Sequence, residues 1–162
     1  MLSGSHNPSG KLPFSWPREA SSHTTYDRKH TEKHYSARPQ YEFGSGLSYS
    51  AVETTAIRLL NPNELTVGDT LDIEVVLENK GNRSSTEVIM LFTQDRVASI
   101  TPSVDKLKAY KRVLVDAGAT TTVPFRVPTA ELGFIGMNLE YVVEPGIFGL
   151  RVQQQSVEFE LN

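Results

Sequence analysis

The acidic residues are the first candidates for chemistry in this sequence. Asp72, Glu74 and Glu78 fall on alternate positions of one short segment, and Glu140 and Glu144 lie four apart further on. Paired carboxylates are the apparatus of acid–base and glycosyl-transfer chemistry when two converge across one substrate. Here the alternation places the first three on one side of an extended chain, the pattern of a solvated sheet face. Nothing in sequence brings Glu140 and Glu144 into a cleft or beside a group that would perturb them. His30 and His34 have a spacing that could hold zinc on a helix, but the segment has no cysteine and no third ligand at a usable offset. The remaining histidines are His6 and His23, both in the same polar stretch. Gly44-Ser45-Gly46 is too short for a nucleophile elbow, and no histidine follows it. Phosphate-loop and dinucleotide fingerprints are absent, and no metal or cofactor is expected. Asn82-Arg83-Ser84 matches the N-glycosylation pattern, which has meaning only in a eukaryotic secretory context.

The elements that would position any site divide the chain in two. Residues 1–40 hold nine apolar residues and four prolines, too little apolar surface to offset ordering entropy alone. Within this arm, Leu12, Phe14 and Trp16 alternate through a proline-punctuated stretch, so they point to one side of an extended chain. Such a strap lies either on its own domain or on a neighbour. Tyr41 to Ser50 mixes aromatic residues with Gly44 and Gly46, the composition of a tight connection pinned to a surface.

From Val52 onward, period-2 patterning recurs between turn signals. Val52 to Leu59 reads as a strand. Leu71, Ile73, Val75 and Leu77 alternate with polar partners and form the clearest half-buried strand. Val88-Ile89-Met90-Leu91-Phe92 is continuously apolar, as in a central strand covered on both sides. Asp95 to Val104 reads as a loop. Further strands are expected over Leu107 to Val115, Thr120 to Val127, Leu139 to Val143, Ile147 to Val152 and Val157 to Leu161. Pro124 assigns its strand to an edge or a bulge. Seven or eight short antiparallel strands predict an all-β, fibronectin type III-like or immunoglobulin-like sandwich over residues 41–162. The immunoglobulin Cys…Trp…Cys signature is missing, because the chain has no cysteine.

Charge is uneven: residues 1–40 carry a net +3 and the remainder a net −6. An acidic body with a weakly basic arm does not suggest nucleic acid. The start of the chain lacks the basic and apolar regions of a signal peptide, and no apolar run is long enough to span a membrane. Composition leaves the compartment open.

Several segments together resemble the C-terminal end of glycoside hydrolase family 3 enzymes, the β-glucosidase and β-xylosidase group. Asn7-Pro8-Ser9-Gly10-Lys11-Leu12-Pro13 with Trp16-Pro17-Arg18 is similar to the stretch that closes the family's α/β-sandwich domain. Thr25-Tyr26-Asp27-Arg28-Lys29 resembles the linker that follows. Tyr41 through Ser50 resembles the passage into the third domain. Asn79-Lys80-Gly81 with Glu87-Val88, Leu107 through Val113, and Glu144-Pro145-Gly146 are similar to landmarks of its fibronectin type III-like domain. Met90, Phe92 and Ala119 depart from common family residues without affecting the pattern. The resemblance implies a catalytic Asp in a barrel and an acid/base Glu in the α/β domain, and no residue of this sequence matches either. The chain alone is therefore expected to be inactive, an accessory domain whose partners are the catalytic domains of a parent glycosidase. Leu12, Phe14, Trp16, Tyr41, Phe43 and Tyr49 are the expected interdomain docking residues. Two alternatives remain. One is a homodimer through the same surface. The other is a module binding carbohydrate or protein, although Trp16, Tyr26, Tyr35, Tyr110 and Tyr141 form no stripe on any one strand.

Overall fold

The computed structural model describes residues 3–20, 25–29, 38–61 and 65–162. His23, His30, His34 and Tyr35 lie outside these residues, so the zinc spacing and one of the aromatic candidates do too. Among the described residues nine strands follow in order: β1 Val52–Leu59, β2 Thr70–Asn79, β3 Ser85–Asp95, β4 Lys106–Val115, β5 Thr120–Pro128, β6 Phe134–Ile135, β7 Tyr141–Val142, β8 Gly146–Val152 and β9 Gln155–Leu161. A 3₁₀ turn, Thr129–Leu132, follows β5.

Two antiparallel sheets face each other, with strand orders β1-β2-β5 and β4-β3-β8-β9, and β6 and β7 form a small separate hairpin. The period-2 pattern explains the layering. Leu71, Ile73, Val75 and Leu77 of β2 are fully buried, as are Ile89 and Leu91 of β3 and Leu150 and Val152 of β8. Phe125, Phe148 and Phe159 complete the interior, the last two stacked with centroids 5.6 Å apart. Each of these large apolar side chains contributes roughly 1.5–3 kcal/mol by leaving water.

The expected strands form, with two differences. Leu139 to Val143 yields only Tyr141–Val142, because Leu139 sits at φ 63° in a turn closed by its own N–H on the Gly136 carbonyl. Its partner β6 is two residues long, too short to carry a readable period. Pro124 lies on β5, an edge strand of the three-stranded sheet, where its missing N–H costs no ladder bond.

The open side between β4 and β5 is closed by lysines. From β4, Lys106 donates to the Gly133 carbonyl at 3.3 Å, Lys108 to the Glu131 carbonyl and Lys111 to the Pro124 carbonyl. Lys111 also lies over the Phe125 ring, 5.2 Å from its centroid. Lys111 thereby occupies a backbone acceptor that the β5 edge would otherwise offer to another strand, while Lys106 and Lys108 hold the 3₁₀ turn after β5. Burial, and secondarily the adjacent Lys106 charge, hold the Lys108 ammonium below the usual lysine range.

Candidate functional site

The described stretches of the arm are held against the body. They run along β3. Leu12 N–H donates to the Ser45 carbonyl and Gly44 N–H to the Leu12 carbonyl, both at 2.8 Å. Trp16 N–H donates to the Tyr41 carbonyl at 2.8 Å, and Gln40 N–H donates back to Trp16 at 2.7 Å. Two extended stretches, around 12–16 and 41–45, therefore satisfy each other's backbone. Asn7 ties their far end. Its Oδ1 accepts from Ser48 Oγ at 2.9 Å and Tyr49 N–H at 2.8 Å, while its Nδ2 donates to Ser50 Oγ at 3.1 Å. Arg83 donates to the Gly4 carbonyl at 2.6 Å, and Arg112 to Ser9 Oγ at 3.2 Å.

The close fit follows from two glycines. Gly44 adopts φ +81° and lies against the Met90 sulfur, a conformation that disfavours a side chain. A Cβ on Gly46 would overlap the Gly10 carbonyl oxygen. Beyond them, Phe43 stacks on Tyr26 with centroids 4.3 Å apart, and both rings meet Phe92 of β3 edge-on at 6.2 Å. Together these contacts cover the side of β3 that carries Met90 and Phe92. The continuous apolar run of β3 thus has the core on one face and the arm on the other.

The expected docking residues separate into two groups. Phe43 turns toward the sheet, into the cluster just described. Leu12, Trp16 and Tyr41 line an open apolar recess of about 890 Å³, together with Lys11, Gly46 and Leu47. Trp16 is 51% exposed and Leu47 90%. Phe14 stacks on Trp16 at 5.7 Å, which agrees with their alternation, and is itself half exposed. Tyr49 is exposed at the far end, beyond Asn7. Leu47 lies inside the aromatic–glycine run but escaped the sequence reading, because no alternation marks it. Lys11 escaped because its partner, Glu87, is remote in sequence.

The other candidates disperse. Asp72 pairs with Arg126 at 2.9 Å on the outer face of β2. Glu140 is exposed in the β6–β7 turn, whereas Glu144 accepts the Ser99 N–H at 2.9 Å, and Ser99 holds its carboxyl below the usual range. Burial pushes the nearby Asp95 carboxyl up. His6 is exposed, and among the described residues no three His, Asp or Glu side chains gather as a metal cluster. Tyr110 and Tyr141 are exposed on β4 and β7, far from forming one row with Trp16 in the strand order. Among the described residues no helix is long and apolar enough to cross a membrane. Asn82 is exposed in the turn between β2 and β3.

Sandwich, strand order and arm define an accessory β-sandwich of the fibronectin type III-like kind. Two family descriptions match: fibronectin type III-like domain over residues 87–156, and glycosyl hydrolase family 3 C-terminal domain over residues 1–49. The periplasmic β-glucosidase of Salmonella typhimurium is 32% identical over 98% of this chain and 24% of its own length. A putative β-xylosidase of Formosa agariphila is 29% identical over 99% of this chain and 22% of its own length. The crystal structure of a Listeria innocua β-glucosidase in complex with glucose superposes with a TM-score of 0.84 at 32% identity, over 99% of this chain and 25% of that one. The chain belongs to glycoside hydrolase family 3, as the C-terminal part of such an enzyme: its fibronectin type III-like domain with the preceding linker. It spans about a quarter of the length of the relatives it matches.

Proposed function

We propose that this region braces the catalytic domains of a β-glucosidase-like glycosidase, and that residues 1–40 and the sandwich 41–162 act as one folded brace. The observation that carries this reading is the recess of Leu12, Trp16, Tyr41 and Leu47. Its apolar residues are held open by a hydrogen-bonded frame instead of collapsing onto the core. An ordered, exposed apolar surface of this kind is the usual mark of an interface. The relatives match this chain over only a quarter of their length, so the natural occupant is the rest of such an enzyme.

A chimera tests this. The matching quarter of the Salmonella β-glucosidase is replaced by this chain, with and without Trp16→Ser and Leu47→Asp. The unmutated chimera is expected to hydrolyse a β-glucoside. The double substitution is expected to destabilise it by about 1–3 kcal/mol, the range of interface anchors, and to lower activity. Equal stability and turnover with and without the substitutions would refute the brace.

A further inference from the structure

A second apolar surface lies at the other end of β3. That strand starts beside Asn7 and ends at Asp95, near the root of the β6–β7 hairpin. The root is pinned. Lys106 and Lys108 hold the Gly133 and Glu131 carbonyls, and Tyr141 Oη donates to the Ala130 carbonyl at 3.0 Å. The tip is uncovered: Met137 is 84% exposed and Leu139 85%. Leu139 also holds φ 63°, a left-handed conformation that disfavours a branched side chain. Beside the tip lies a hollow of about 120 Å³, walled by Ile100, Pro102, Leu132, Phe134 and Phe148. Ile135, two residues before Met137, lines it as well. Its charged lining residues are already committed. Asp95 accepts the Val97 N–H at 3.2 Å, and Lys106 bonds Gly133. Opposite in sign, the two leave the hollow without net charge.

We propose that this end is a self-association surface, in which the Met137–Leu139 tip of one copy enters the hollow of a second copy while the reverse contact forms. An apolar cavity of about 150 Å³ holds a benzene-sized group, so this smaller hollow suits the end of a leucine or methionine side chain. A second copy carries both halves of the match by construction. Tip and hollow share one end of the chain, so a single two-fold axis satisfies both contacts, and neither apolar tip is left in water. The pinned root means that the tip gives up little freedom on docking. A net charge of −3 opposes the pairing of like copies, so association is weak and strengthens with salt. No arm residue takes part, which makes the inference independent of the bracing role.

Sedimentation equilibrium of the full 162-residue chain tests it. A monomer–dimer equilibrium is expected, with a Kd on the order of 100 μM that tightens at higher salt. Leu139→Asn removes the knob and suits the left-handed backbone. It is expected to weaken the dimer about 10-fold or more while the melting temperature of the monomer holds or rises. The chain has no cysteine, so chains carrying Leu139→Cys and Ile100→Cys are mixed under oxidation. The mixed disulfide is expected to exceed either homodisulfide. Overturning results are a monomer up to about 1 mM, a dimer that Leu139→Asn leaves intact, and a dimer that Trp16→Ser dissolves instead. Loss of stability on Leu139→Asn in a monomeric Salmonella chimera also overturns it, because the rest of the enzyme then covers the tip.

Discussion

Lys11 Nζ stands 3.3 Å from Glu87 Oε2, joining the arm to a carboxylate on β3 that is only 4% exposed. The same ammonium donates to the Gly46 carbonyl at 2.9 Å, and Ser85 Oγ bonds the other Glu87 oxygen at 3.2 Å. One cation thus stitches together both halves of the strap and the sheet beneath. Removing one partner of a buried pair leaves the other desolvated, which costs more than the pair itself contributes.

Lys11→Ala is therefore expected to destabilise the chain by about 1–3 kcal/mol, below the range for fully buried pairs because Lys11 keeps some solvent contact. Glu87→Gln, which keeps an acceptor and removes the buried charge, is expected to cost less. Urea unfolding of both variants measures this. A larger loss for Glu87→Gln than for Lys11→Ala would contradict the arrangement.

Gly46→Ala is expected to lift the arm, since the new methyl would overlap the Gly10 carbonyl oxygen, a backbone atom that cannot swing aside as the adjacent Lys11 side chain can. Overpacking of this sort costs about 1–3 kcal/mol. The signature beyond lost stability is local: protease cleavage near residues 12–16 rises while the sandwich core stays resistant.

Lys111→Ala uncovers the Pro124 carbonyl and the Phe125 ring at the edge of the three-stranded sheet. Little stability is expected to be lost, under about 1 kcal/mol for an exposed cation. Self-association is expected to increase with concentration, as read by light scattering, because the edge is no longer blocked.

Stability against pH follows from three carboxyls. Thr66 holds Asp69 below its ordinary 3.8, and Ser99 holds Glu144 below its ordinary 4.5. Both favour the fold above those values and lose that contribution as pH falls through their depressed native values. Asp95 is opposite: burial raises it above 3.8, so the fold binds its proton more readily and its contribution falls as pH rises through the raised value. Asp95→Asn is expected to raise the melting temperature at pH 7 relative to the parent and to have less effect in acid. Glu144→Gln is expected to flatten the acid limb of the stability curve.

Much of the fold was legible because burial in a sandwich imposes period 2. The alternation at Leu71 to Leu77 appears as a fully buried row, and the unbroken run at Val88 to Phe92 appears as a strand covered twice. The cover on its second side was not legible, because it comes from Phe43, Gly44 and Tyr26, whose approach depends on a positive φ at Gly44. Leu12, Trp16 and Tyr41 were found from alternation and composition. Leu47 and the Lys11–Glu87 pair carry no local pattern and exist only once the arm is folded back.

The most direct measurement is amide hydrogen exchange in the intact chain. If arm and sandwich are one folded unit, the N–H groups of Leu12, Trp16 and Gly44, all bonded across the strap, are expected to exchange about 100-fold or more slowly than in an unstructured peptide. Peptide-like rates at those three sites, with the β3 amides still protected, would contradict the account.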